Sequence, residues 1–176
     1  MKTTAILIAG FGGQGTLFAG KVLASASLFK GLEVTWLPSY GPEMRGGTAT
    51  CSVIVSDSPI GSPIVTHPDV LIALNKPSFE KYEPLTNPGG KIFVDASLVD
   101  SRSERTDIDV FYVRASELAR EAGGANLSNI VLIGSAIRET GLFTEEEIAA
   151  CLDAIIPEKK AALRDLNKKA LHAGLE

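Results

Sequence analysis

The stretch Ala5-Ile-Leu-Ile-Ala-Gly-Phe-Gly-Gly-Gln-Gly15 decides the fold, because it joins a short apolar run to a glycine-rich turn. The apolar run, Ala5 to Ala9, predicts a buried strand. Positions 10 to 15 fit the pattern Gly-x-Gly-x-x-Gly, and Thr16 to Lys30 carries apolar residues at helical spacing. Gly31 then occupies the place of a helix C-terminal glycine. A strand, a glycine loop and a helix in this order predict a Rossmann-like unit at the start of the chain.

Short apolar runs alternate with helical segments along the rest of the chain. Such alternation is typical of a parallel sheet that is covered by helices on both faces. We therefore predict one α/β domain over residues 1–176, in three layers (α/β/α) with a mainly parallel sheet. The further strands are predicted at Glu33–Leu37, Thr48–Ser56, Asp69–Leu74, Lys91–Asp95 and Val110–Val113. The further helices are predicted around Pro77–Tyr82, at Ser116–Arg120, Ser128–Thr140 and Thr144–Ile156 (with a Thr144–Glu147 capping box), and from Pro157 onward, the last docked by Leu163, Leu166 and Ala170.

Composition and charge exclude several classes of function. Seventeen basic and twenty-one acidic residues give a net charge of −4, so the chain offers no basic surface to a nucleic acid. No apolar run approaches the roughly 18 residues needed to cross a bilayer, and the first run is too short for a signal peptide. We expect a cytoplasmic protein that binds neither nucleic acid nor membrane.

The cysteines and histidines do not form a recognisable catalytic or metal-binding pattern. Cys51 and Cys151 are a hundred residues apart and neither belongs to a Cys-x-x-Cys pair, which excludes a self-contained iron-sulfur or structural zinc site. We predict that both are buried thiols. His67 precedes a proline and His172 is near the C-terminus, so neither is predicted to be catalytic. We predict no catalytic residue and no metal ligand in this chain.

The first candidate site is the glycine loop, defined here as Gly10, Phe11, Gly12, Gly13, Gln14 and Gly15. Glycines allow close approach of the backbone to an anion, and the amides at the start of a helix favour negative charge. A dinucleotide site also needs an acidic residue at the end of the second strand, whereas Glu33 is at its beginning. Lys21 does not follow the second glycine as in a phosphate-binding loop of nucleotide hydrolases. Three alternatives remain open: a tight strand-to-helix crossing, a phosphate-bearing ligand such as coenzyme A, and a bound dinucleotide.

The second candidate site lies in the segment Pro38–Gly47, which is predicted to be one extended loop. It follows what we take to be the strand neighbouring the first, at the edge of the sheet where α/β proteins bind ligands. Arg45 is suited to a bidentate contact with a carboxylate or phosphate, and Tyr40 with Met44 to a packed contact. An ordinary solvated loop is the alternative. The candidate residues are Ser39, Tyr40, Glu43, Met44, Arg45, Gly46, Gly47 and Thr48.

Six segments stand out in order between residues 10 and 63. They are Gly10-Phe-Gly-Gly-Gln-Gly15, Ala19-Gly-Lys21, Val34-Thr-Trp36, Pro38-Ser-Tyr-Gly-Pro-Glu-Met-Arg-Gly-Gly-Thr48, Cys51-Ser-Val53 and Ser62-Pro63. Taken together, these motifs resemble the gamma subunit of 2-oxoacid:ferredoxin oxidoreductases, most closely the 2-oxoglutarate type. Several long motifs in order are more specific than the glycine loop alone.

The resemblance implies a subunit of an enzyme that converts a 2-oxoacid, coenzyme A and oxidised ferredoxin into an acyl-CoA, carbon dioxide and reduced ferredoxin. It implies alpha and beta partner subunits, a ferredoxin-like delta subunit in some complexes, and thiamine diphosphate, magnesium and iron-sulfur clusters held by those partners. This chain would contribute subunit contacts, shape the approach of coenzyme A, and bind no cofactor alone. Its two loops, residues 10–15 and 39–48, are expected to face either the subunit interface or the path of coenzyme A. The rival hypotheses are a stand-alone dinucleotide-binding oxidoreductase and a scaffold that associates only with itself.

Overall fold

A computed structural model describes residues 3–41 and 47–176, and within these ranges the chain forms one six-stranded sheet with helices on both faces. The strands are β1 (Thr4–Phe11), β2 (Glu33–Tyr40), β3 (Thr48–Ser56), β4 (Val70–Ala73), β5 (Lys91–Asp95) and β6 (Asp109–Val113). The helices are α1 (Thr16–Phe29), α2 (Lys76–Tyr82), α3 (Ala115–Glu121), α4 (Ser128–Thr140), α5 (Glu145–Ile155) and α6 (Ala161–Leu175), with short 3-10 segments at Glu83–Leu85 and Glu158–Lys160.

The sheet has the order β2-β3-β1-β4-β5-β6. Strands β1, β4, β5 and β6 are mutually parallel, whereas β3 is antiparallel to both β1 and β2. Five strands therefore run in one direction and β3 alone is reversed, which confirms the mainly parallel sheet. The expectation that β1 and β2 are neighbours is wrong, because the β2–β3 hairpin inserts β3 between them.

The two faces of the sheet are covered to different extents. Alternating residues of the central strands divide into two buried clusters, so that Ile6 and Ile8 of β1 face one side and Leu7 faces the other. The first cluster packs against α1, α3, α4, α5 and α6, while the second contains Phe79 of α2 and residues of the segment after β5, such as Val99. The α/β/α arrangement is confirmed, with one thick helical layer and one thin layer.

Two strands are longer than their sequence predicts. β1 continues through Gly10 and Phe11, and β2 continues through Pro38, Ser39 and Tyr40, so these residues are strand and not loop. Pairing across the hairpin extends both strands, because Phe11 is opposite Thr48 and Tyr40 is opposite Ala49. β2 is an edge strand, where the missing N–H of a proline is tolerated.

Local signals account well for the helix boundaries. Gly31 follows α1 with φ +70°, as expected of a helix C-terminal glycine. Thr144 accepts a hydrogen bond from the Glu147 amide, and the Glu147 side chain bonds back to the Thr144 amide, which confirms the predicted capping box. Pro157 does not open the last helix, because the short 3-10 segment separates it from α6.

The helices α4 and α6 cross at two glycines. A Cβ atom on Gly134 would be 2.2 Å from the Leu171 carbonyl oxygen, and one on Gly174 would be 2.0 Å from that of Val131. Both obstacles are backbone atoms, which do not move aside without shifting a helix. The buried face of α6 is therefore centred on Asn167, Ala170, Leu171 and Gly174, while the predicted docking residue Leu163 is 39% exposed.

A similar close approach joins α1 to β3. A Cβ atom on Gly20 would be 2.3 Å from Cys51 Sγ. We expect Gly20→Ala to lower the free energy of unfolding by about 1–3 kcal/mol, because the added methyl group overpacks a filled site. Cys51→Ala removes the obstructing sulfur, so the double variant should be more stable than the sum of the two single changes predicts. Urea denaturation of the wild type, the two single variants and the double variant measures this coupling. Strictly additive changes in the free energy of unfolding would contradict the close contact.

Candidate functional site

The two candidate loops meet at one edge of the sheet even though their strands are not neighbours. The Gly12 amide donates to the Gly47 carbonyl oxygen at 2.9 Å, which ties the glycine loop to the beginning of β3. The Gly41 amide donates to the Thr48 carbonyl oxygen at 2.7 Å and continues the β2–β3 pairing beyond Tyr40. The glycine loop and the described ends of the second predicted loop therefore lie close together.

A groove of about 260 Å³ separates the glycine loop from the hairpin. Its walls come from the glycine loop, the first turn of α1 and the facing strand residues Tyr40 and Ala49. Tyr40 is 51% exposed, so its ring is accessible beside the groove. The volume is below the roughly 300–1,000 Å³ usual for pockets that enclose a whole ligand, so the groove suits part of a larger molecule or a side chain from a partner.

The start of α1 forms one wall of this groove. Gly15 is the N-cap residue with φ +76°, and among residues 3–41 and 47–176 no side chain caps the helix. The first amides of a helix lack intrahelical partners, and the helix dipole gives them a partial positive charge. The Thr16 hydroxyl is buried and finds no hydrogen-bond partner among the described residues. This wall can therefore donate hydrogen bonds to an anionic group.

Gln14 lies in the glycine loop but faces the interior of the fold. Its Oε1 atom accepts hydrogen bonds from the Phe11 amide at 2.7 Å and from Asn75 Nδ2 at 2.8 Å. Its Nε2 atom donates to the Leu74 carbonyl oxygen at 3.0 Å. The sequence predicts Gln14 as a member of the loop that faces a ligand or an interface. In the structure, its side-chain amide already forms hydrogen bonds within the protein.

The opposite end of the loop contacts α4. Asn129 Nδ2 donates to the Gly15 carbonyl oxygen at 3.0 Å, and Asn129 is only 2% exposed. A Cβ atom on Gly15 would be 2.4 Å from Asn129 Nδ2, so glycine is required here by both space and positive φ. The glycine loop is accordingly held from two sides.

This geometry differs from that of a dinucleotide site. In the Rossmann arrangement the second strand lies beside the first and its terminal acidic residue reaches the ribose. Here β3 occupies that position and β2 is at the sheet edge. The crevice between the carboxyl ends of the parallel strands β1 and β4, where such ligands bind, contains the Gln14 hydrogen bonds to Leu74 and Asn75.

The remaining candidates of the second loop have varied positions. Ser39 is an exposed strand residue, Thr48 is the exposed first residue of β3, and Gly47 contacts the glycine loop through its carbonyl group. Glu43, Met44, Arg45 and Gly46 lie outside the described residues, so the roles predicted for Arg45 and for the Tyr40–Met44 contact stay predictions.

Cys51 and Cys151 are free and buried, as predicted. Burial raises the pKa of the Cys51 thiol from 9.0 to about 12, and a hydrogen bond from the Trp36 side chain only partly opposes this. Because the folded-state pKa is the higher one, the thiol stabilises the fold below about pH 9, and this contribution is lost as the pH rises toward 12. At neutral pH Cys51 is therefore protonated and a poor nucleophile.

The histidines lie on the surface, where His67 contacts Thr66 and His172 contacts Glu145. Across residues 3–41 and 47–176, no three histidine, cysteine or acidic side chains are grouped so that they could hold a metal ion. Over the same ranges, no helix combines the length and apolar character needed to cross a membrane.

Three residues at the site escaped prediction from sequence. Asn75 caps α2 by accepting from the Ser78 amide at 2.9 Å, and its position two residues before Pro77 is a recognisable helix-start signal. Thr16 and Asn129 carry no such signal. Asn129 is 114 residues from its partner Gly15.

Known sequences resemble the chain over nearly its full length. A family model described as pyruvate ferredoxin/flavodoxin oxidoreductase matches residues 5–176. Ketoisovalerate oxidoreductase subunit VorA of Methanothermobacter marburgensis is 38% identical over 173 residues, which cover 97% of this chain but 36% of VorA. The 2-oxoglutarate synthase subunit KorC of Methanocaldococcus jannaschii is 34% identical over 154 residues, covering 85% of this chain and 82% of KorC. The chain thus spans about a third of VorA and most of KorC.

Solved structures share the fold. The gamma subunit of a keto/oxoacid ferredoxin oxidoreductase from Geobacter sulfurreducens superimposes with a TM-score of 0.86 at 30% identity, over 99% of this chain and 95% of that one. A 2-oxoglutarate:ferredoxin oxidoreductase from Magnetococcus marinus superimposes with a TM-score of 0.88 at 24% identity, over 99% of this chain and 31% of that one. Fold and sequence agree, and the chain belongs to the pyruvate ferredoxin/flavodoxin oxidoreductase family.

Proposed function

We propose that residues 1–176 act as one gamma-type domain, a subunit of a cytoplasmic 2-oxoacid:ferredoxin oxidoreductase. The observation that carries this proposal is the likeness to KorC and to the Geobacter gamma subunit over most of all three chains. The complex converts a 2-oxoacid and coenzyme A into an acyl-CoA and carbon dioxide, and passes electrons to ferredoxin. Alpha and beta subunits, with a ferredoxin-like delta subunit in some complexes, supply thiamine diphosphate, magnesium and the iron-sulfur clusters.

For the 2-oxoacid we propose 2-oxoglutarate. KorC relatives from several archaea support this choice, because the region similar to this chain covers most of each KorC subunit. The VorA relatives are named for ketoisovalerate, and a branched-chain oxoacid is therefore the competing substrate.

Within that complex we propose that the glycine-loop groove faces the path of coenzyme A. The uncapped start of α1, the positive φ of Gly13 and Gly15 and the accessible ring of Tyr40 together suit a phosphate-bearing molecule. Coenzyme A is the candidate of this class because the Magnetococcus enzyme, which shares the fold, was solved with coenzyme A and succinyl-CoA bound. For the second loop we keep two alternatives, the subunit interface and this coenzyme A path, and its proposed residues are Ser39, Tyr40, Glu43, Met44, Arg45, Gly46, Gly47 and Thr48.

Coexpression tests the subunit assignment. We expect the tagged chain to copurify with the products of its neighbouring genes, and the complex to reduce viologen only when both 2-oxoglutarate and coenzyme A are present. Ketoisovalerate and pyruvate serve as matched substrates. Purification of the chain alone with a bound dinucleotide would support the rival oxidoreductase, and a self-contained homo-oligomer that ignores those partners would support the scaffold hypothesis.

A further inference from the structure

Gln14 connects three separate parts of the chain through one side-chain amide. Its partners are the amide of Phe11 in β1 (2.7 Å), the carbonyl oxygen of Leu74 after β4 (3.0 Å), and Nδ2 of Asn75 at the start of α2 (2.8 Å). The orientation of this amide is determined by its partners, because a backbone N–H can only donate and a backbone carbonyl can only accept. All three bonds are satisfied in one orientation.

The chain of amides continues into α2. Asn75 is 4% exposed, and its Oδ1 atom accepts from the Ser78 amide at 2.9 Å while its Nδ2 atom donates to Gln14. A continuous series of hydrogen bonds therefore runs from the first turn of α2 to the end of β1. The glycine loop begins at the end of this series, so its first half is fixed to two neighbouring elements.

Asn129 fixes the second half of the loop from α4. Its Nδ2 atom donates to the Gly15 carbonyl oxygen at 3.0 Å, and the same carbonyl accepts from the Ala19 amide at 2.9 Å to begin α1. Between the two anchored ends, Gly13 has φ +102°, and no atom of the described residues lies within 4 Å of its Cβ position. The middle of the loop is thus tied to β3 through the Gly12 amide, while the Gly13 Cβ position stays open beside the groove.

We infer that Gln14 and Asn129 are positioning residues that hold the glycine loop open toward the groove before coenzyme A arrives. The inference rests on the proposed function, in which that groove faces coenzyme A. A loop that is already ordered loses less conformational freedom when the ligand binds, so positioning should appear in the apparent affinity for coenzyme A. Neither side chain needs to touch the ligand.

The test uses the copurified complex and compares Gln14→Leu with wild type. Leucine retains bulk but loses all three hydrogen bonds, and we expect the KM for coenzyme A to rise about tenfold while kcat changes less than about twofold. Gln14→Met has nearly the same length, also loses all three hydrogen bonds and adds no charge near the groove, so it should show a similar rise. It also serves as the second variant if Gln14→Leu does not assemble.

The matched control is Asn87→Leu. Asn87 is also a bracing amide, since its Nδ2 donates to the His67 carbonyl oxygen at 3.1 Å and to Asp69 Oδ1 at 2.8 Å, near the beginning of β4 instead of its end. We expect it to lower the melting temperature without raising the KM for coenzyme A. If Gln14→Leu raises that KM no more than Asn87→Leu, the positioning role is wrong.

Asn129→Leu provides an independent check from the other side of the loop, with the same expected rise in KM for coenzyme A. The variants Gly13→Asp and Gly13→Asn, which differ in charge but hardly in shape, are assayed in parallel because they address the groove directly. If Gly13→Asp raises the KM for coenzyme A above that of Gly13→Asn while the Gln14 and Asn129 variants leave this KM unchanged, the positioning role alone is wrong. The absence of any effect at all three positions would overturn the proposed coenzyme A path as well.

Discussion

Gly134→Ala is expected to lower the free energy of unfolding by about 3 kcal/mol or more, or to prevent folding. The added Cβ atom would be 2.2 Å from the Leu171 carbonyl oxygen and would have to push α6 away from α4. The gain in helix propensity from replacing glycine by alanine is only about 1 kcal/mol and does not offset this clash. Chemical denaturation followed by circular dichroism measures the change.

Gly61→Ala is the matched control, because no atom of the described part of the chain lies within 4 Å of the position of its Cβ atom. We expect a change within about 0.5 kcal/mol for this surface variant. Gly174→Ala approaches the same crossing from α6 and should be as damaging as Gly134→Ala. A Gly134→Ala protein as stable as Gly61→Ala would show that the two helices do not approach as closely as the structure describes.

Gly13→Asp is expected to raise the KM for coenzyme A about ten- to hundredfold relative to Gly13→Asn in the purified complex. Asparagine and aspartate have nearly the same shape, and both tolerate positive φ better than other residues, so backbone strain at φ +102° is closely matched between them. Only the carboxylate places a negative charge beside the start of α1. Repulsion of a phosphate at about 5 Å corresponds to roughly 1–3 kcal/mol at the dielectric constant of a protein surface.

Two further measurements make this comparison decisive. The difference between the two Gly13 variants should shrink as salt is added, because exposed charges are screened over about 8 Å at physiological ionic strength. Their melting temperatures should be similar, which separates the charge effect from a folding effect. Equal KM values for coenzyme A at low salt would mean that no anionic part of the ligand approaches the groove, and would favour a role in subunit contacts.

Prediction from sequence succeeded where the signals are local. The bounds of α4 and β3 agree with the predicted ones, and the Thr144 capping box begins α5 as expected. It failed where distant residues decide the outcome. Pro38 and Ser39 have typical turn composition, yet they are strand residues because β3 pairs with them. The position of β3 between β1 and β2 likewise depends on pairing between segments some forty residues apart.

The part of the candidate site that depends on local sequence signals was likewise predictable. The glycine loop could be identified because a strand, closely spaced glycines and a helix follow each other directly. The engagement of Gln14 could not, since its partners Leu74 and Asn75 are 60 and 61 residues away. Asn129 lies in the first turn of α4, directly before an apolar run, and nothing near it in the sequence indicates a contact with Gly15. Side chains that support a loop from a distance are recognised only once the fold is known.

The edge of the sheet at β2 bears on how the newly synthesised chain behaves. β2 exposes Trp36, Leu37 and Tyr40, by 43%, 39% and 51%. An unpaired apolar edge strand invites another chain to add to the sheet, which is a common route to aggregation. Pro38 lies in the middle of this edge and offers no N–H to an incoming strand. Pro38 therefore disfavours edge-to-edge aggregation of newly synthesised chains. The aromatic side chains of Trp36 and Tyr40, on either side of the proline, stay accessible for contact with another protein.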